Sequence, residues 1–69
     1  MNYASVEMFP NNFVVTVFDE NATLLDSFYF GNHESRESVN RRIREIEERF
    51  HIEKWVSSQE RKMIERQNL

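Results

Sequence analysis

The sequence contains no cysteine. That excludes disulfides, thiolate metal sites and a cysteine nucleophile, and it is consistent with a reducing compartment. There is one glycine, at position 31, and one proline, at position 10. No glycine-rich phosphate loop can be built from a single glycine. Long apolar runs are also missing: stretches such as Phe13-Val14-Val15 are as long as they get, whereas a membrane-spanning helix needs about 20 apolar residues. The N-terminal MNYASVEMF lacks the basic start and the apolar stretch of a secretory signal. The expectation is a soluble, cytoplasmic protein.

Basic residues are absent from the first half. Residues 1–35 hold five acids (Glu7, Asp19, Glu20, Asp26 and Glu34), while all nine Lys and Arg lie in 36–69 beside seven acids. Such asymmetry raises the question of a nucleic-acid surface or an acidic DNA mimic. A hairpin-rich half next to a helix of mixed charge explains it more simply. Five acids over 35 residues are too sparse for mimicry.

What is present is a globular composition: 39% hydrophobic and 30% charged over 69 residues. A chain this short is one domain's worth and buries only about 60% of its unfolded surface. Pro10-Asn11-Asn12, Asp19-Glu20-Asn21-Ala22 and Gly31-Asn32 read as turns, although alanine at 22 weakens the second. Between them lie strand candidates at about 3–9, 13–18 and 23–30, rich in Val, Phe, Tyr and Thr. Pairing them as hairpins sets Val17 opposite Leu24 and Phe13 opposite Phe28. One face then carries Ala4, Val6, Met8, Phe13, Val15, Val17, Leu24, Phe28 and Phe30, and all three strands agree on it.

A helix is expected over about 36–50, with Ser35 as N-cap and Glu37 in its first turn. Val39, Ile43, Ile46 and Phe50 form its apolar stripe. Four i,i+4 pairs (Glu37/Arg41, Arg41/Glu45, Arg44/Glu48 and Glu45/Arg49) lie on its other sides. A 15-residue helix is roughly 22 Å long and a seven-residue strand about 23 Å, so the helix can cover the sheet. The fold class is therefore α+β: a three-stranded antiparallel β-meander on one amphipathic helix, in the order β-β-β-α. A short fourth strand over 52–56 and a helix over 58–67, opened by the Ser57/Glu60 capping box, complete the reading. The rival is a single helix over 53–66.

Enzyme signatures are missing. His33 and His51 have no metal-ligand spacing, and His51 with Glu47 reads as a salt bridge at a helix C-terminus. No serine stands in a nucleophile-elbow context. The expectations are no catalytic residue, no cofactor and no metal.

Two features remain. Asp26 falls on the apolar face, where a charge must be paired or reach water, and an ion pair with Arg42 is expected. The opposite sheet face holds Val14, Thr16, Phe18, Leu25, Ser27 and Tyr29, more aromatic area than a solvated face carries. Either the C-terminal segment covers it or another chain does. The sequence thus points to a non-enzymatic protein-interaction domain, a homodimer or a binder of a larger protein, with Phe18, Leu25, Tyr29 and Trp55 as anchors. A phage-type inhibitor of a host system is one version suggested by size. The alternative is a nucleic-acid-binding regulator using Arg41, Arg42 and Arg44; the strands themselves lack the Arg and Lys that a DNA-reading sheet requires.

Overall fold

The computed structural model describes residues 1–67. Six elements follow one another: β1 (Asn2–Met8), β2 (Asn12–Asp19), β3 (Leu24–Gly31), α1 (Arg36–Phe50), β4 (Ile52–Val56) and α2 (Ser58–Gln67). The protein is α+β, with one four-stranded sheet in the order β3-β2-β1-β4. β1, β2 and β3 form the expected antiparallel meander. β4 adds to it in parallel beside β1, so α1 carries the chain from one edge of the sheet to the other.

The first hairpin closes where Phe9 N–H donates to the Asn12 carbonyl at 2.8 Å, which sets Met8 opposite Phe13. The second turn is longer. Ala22 takes a left-handed conformation, φ 62°, which an alanine resists. Asp19 offsets this: its Oδ1 accepts the N–H groups of Asn21 and Thr23, both at 2.9 Å. The register of β3 on β2 is therefore offset by two residues from the one the sequence suggests. Val17 faces Asp26, not Leu24, and Phe13 faces Phe30, not Phe28. A shift of two keeps every side chain on its face, because the side-chain period of a strand is two. The exception is Leu24. An irregularity between Val17 and Phe18 sets Leu24 opposite Phe18, so Leu24 leaves the helix-covered face and is 62% exposed.

α1 is capped as its sequence dictates. Ser35 Oγ accepts from Ser38 N–H at 3.1 Å. His51 ends the helix in the left-handed region, its N–H donating to the Glu47 carbonyl. Asn2 Nδ2 donates to the Phe50 carbonyl at 2.6 Å, satisfying one of the unpaired carbonyls of the last turn. The stripe of Val39, Ile43, Ile46 and Phe50 packs on Ala4, Val15, Val17 and Phe30, which are fully buried. Phe13 stacks on Phe30 at 4.7 Å between centroids, and Phe28 meets Phe50 edge-on at 5.9 Å. Met8, expected in this layer, ends β1 at the hairpin tip and is exposed.

α2 lies on the opposite face. Ser57 caps it, Oγ accepting from Glu60 N–H at 3.1 Å. Ser58 Oγ donates to the Val6 carbonyl at 3.4 Å. Beneath α2, Ser5, Phe18 and Val56 are buried, with Tyr3 packed on Phe18 at 5.8 Å. The C-terminal segment thus covers part of the second face and leaves the β3 side open.

Candidate protein-interaction surface

The open region follows from sheet order. β3 is an edge strand, and α2 sits over the β1 side of the sheet. On β3, Leu24, Leu25 and Tyr29 are 62%, 42% and 64% exposed, with Ser27 between them and half-buried Val14 and Thr16 alongside on β2. A groove of about 340 Å³ separates this shelf from α2, lined by Phe18, Leu24 and Ser27 from the sheet and by Arg61 and Glu65 from α2. Arg61 Nε is buried there without a hydrogen bond; Glu65 Oε1 stands 3.9 Å away.

The four expected anchors do not come together. Leu25 and Tyr29 are on the shelf. Phe18 is only 2% exposed, at the floor beneath α2. Trp55 is on the other face, packed against the α1 core, and its Nε1 donates to Glu47 Oε2 at 3.1 Å. The local cause is the irregular start of β4: the register with β1 shifts between Asn2 and Tyr3, and both Ile52 and Trp55 then pack towards α1. The salt bridge expected between Glu47 and His51 is not among the ion pairs of the described residues.

The expected Asp26–Arg42 pair is replaced by other contacts. Arg42 Nη1 donates to Glu34 Oε1, its Nη2 donates to the Tyr29 carbonyl at 3.1 Å, and its guanidinium lies 4.0 Å over the Phe30 ring. Glu34 precedes the N-cap of α1 and lies nearer than Asp26 along the same edge. Asp26 is half-buried, with Oδ1 accepting from Ser27 N–H at 2.8 Å.

The three arginines of the alternative reading also separate. Arg41 and Arg44 line an open depression on the outside of α1 with Arg36, Glu37 and Asn40, while Arg42 is engaged at the sheet edge. Among the described residues none of the four expected i,i+4 pairs is closed; the ion pairs are Arg42–Glu34, Lys54–Glu60 and Arg61–Glu65. An exposed pair gains only tenths of a kcal/mol against side-chain entropy, too little to hold two long chains together.

Sequence reasoning missed Leu24, which only the strand irregularity brings to the shelf, and Met8, 72% exposed beside Phe9 at the hairpin tip. Two apolar residues directly before the Pro10 turn were the available signal for the tip. Among the described residues no group of three or more His, Asp or Glu could hold a metal ion, and no helix is long and apolar enough to cross a membrane. The chain matches no protein-family model, no curated protein and no solved structure.

Proposed function

We propose that the chain is a non-enzymatic protein-interaction domain that binds a larger protein through the β3 shelf of Leu24, Leu25 and Tyr29, in the manner of an adaptor or accessory inhibitor. The observation that supports this is the half-covered second face. α2 buries Phe18 and Val56, yet leaves three large apolar side chains of one strand in water. Scattered exposed leucines need no explanation, but three large apolar side chains on one strand beside a groove fit a binding patch. Tyr29 offers area with few torsions to freeze, as interface anchors do.

The test is capture with purified chain against lysate of the source cells, comparing wild type with Leu25→Ser/Tyr29→Ser. Both side chains are exposed, so the variant should keep its thermal midpoint within a few degrees. Loss of a stoichiometric partner with the fold intact supports the reading. A partner held equally by both proteins sinks it.

One observation favours a second reading. Arg36, Arg41 and Arg44 stand on α1 without ion-pair partners among the described residues, as phosphate contacts would. A gel shift on random DNA and RNA separates the two readings, since binding through phosphates falls steeply between 50 and about 200 mM salt.

A further inference from the structure

The β3 edge carries an arrangement that a partner-binding shelf does not require. Ser27 gives its only N–H to the Asp26 carboxylate at 2.8 Å, so that N–H is not donated to β2. In an antiparallel ladder backbone groups alternate in direction; residues 27 and 29 therefore turn their N–H and C=O groups outward, away from β2. Of these, the Ser27 N–H is capped by Asp26 and the Tyr29 carbonyl is held by Arg42 at 3.1 Å. Further along, the Gly31 carbonyl accepts from Glu34 N–H at 3.4 Å. An eight-residue edge with no proline and no lysine lacks the usual devices against strand addition, and these three contacts stand in their place.

We propose that the outer edge of β3 is a strand-addition site for a second copy of this chain, held closed by Asp26 and Arg42. The strand is self-complementary about a twofold axis. With Ser27 opposite Tyr29 of the second copy, the pair exchanges Ser27 N–H for the Tyr29 carbonyl and Tyr29 N–H for the Ser27 carbonyl, twice by symmetry. The two groups that the latch occupies are the ones this register needs. The same register sets Phe28 opposite its equivalent and Asp26 opposite Phe30, so no like charges face each other. Leu25 and Tyr29 of both copies would then flank the seam on the α2 side. Arg42 is locked from three sides, by Glu34, the Phe30 ring and the Tyr29 carbonyl, which makes the closed edge the resting state.

Light scattering over a range of concentrations tests this with wild type, Asp26→Ala, and Asp26→Ala/Arg42→Met. Methionine keeps an apolar stem over Phe30 while removing the donors. Wild type should run at one chain's mass. Asp26→Ala should associate weakly, and the double variant should double its mass with a dimer Kd at least tenfold tighter than that of Asp26→Ala. Amide exchange should slow at Tyr29 in that dimer. Adding Ser27→Pro, which removes an outward N–H and no bond to β2, should return the double variant to one chain's mass. Should the double variant misfold by circular dichroism, Asp26→Ala with and without Ser27→Pro makes the same comparison. A folded double variant that stays monomeric, a dimer indifferent to Ser27→Pro, or a wild-type dimer with Tyr29 N–H protected overturns the proposal. The Leu25→Ser/Tyr29→Ser capture is read separately, so this edge and the shelf can fail independently.

Discussion

At the scale of single residues, two side chains carry roles that their positions in the sequence do not advertise. Arg42 combines a carboxylate, a carbonyl and a ring face. Replacing it with alanine should lower stability by about 2 kcal/mol, the sum of a charge-assisted hydrogen bond and a partly shielded cation–π contact. Arg41→Ala, at an exposed site with no ion pair, should change it by under about 0.5 kcal/mol. Urea unfolding of the two variants side by side checks the contrast. Ala22 is the reverse case, a residue in the wrong conformation for its type: φ is 62°. Ala22→Gly should raise stability by roughly 0.5 kcal/mol, the left-handed penalty relieved less the greater entropy of unfolded glycine, read as a rise in melting midpoint. Sequence reasoning saw that Asp26 and Arg42 had to be accounted for, because a charge on an apolar face needs a partner or water. It chose the wrong pairing because Glu34, which binds Arg42, sits in a loop whose path no periodicity describes.

At the scale of elements, which residues share a face was legible and register was not. Alternation fixes faces, and a two-residue slide of β3 along β2 leaves alternation untouched, so both registers fit the pattern equally well. Only the long turn at Asp19–Thr23 and the irregularity at Leu24 decide between them. Helix ends were legible for a different reason: Ser35 and Ser57 each act on a backbone N–H three residues on, which is local chemistry. Ser35→Ala should therefore lower stability by about 1 kcal/mol. α2 has a larger effect, because it lies over Phe18 and Val56. A chain ending at Ser57 should bind the dye ANS strongly and unfold without a sharp transition, whereas wild type should do neither.

At the scale of the whole molecule, the sheet separates two coverings of unequal size. α1 seals one face with a full apolar stripe; α2, ten residues long with no buried residue of its own, seals part of the other. Amide exchange should be slowest in β1 and β2, which each have strands on both sides, and fastest in α2, with the β3 and β4 edges between. The orientation of β4 could not be read from its sequence. Five residues, Ile52–Val56, show no period that separates parallel from antiparallel, and the strand's irregular start sends Trp55 to the face opposite the one assigned to it. The candidate site was half legible for that reason. Leu25 and Tyr29 followed from alternation, while Phe18 is covered by α2 and Trp55 is turned to the other face by the irregular start of β4.

The pairing of β1 with β4 also has a consequence for the order of events in synthesis. β1 is made before both strands it pairs with, yet ends as an interior strand, its second neighbour encoded some fifty residues downstream, with Ser5 opposite Val56. The meander can form on the ribosome, but its β1 side stays unpaired until β4 has emerged. At roughly 5–20 residues per second, the newborn protein passes several seconds with that backbone open to whatever strand is nearby. Closing this long-range contact is then the step that sets the refolding rate.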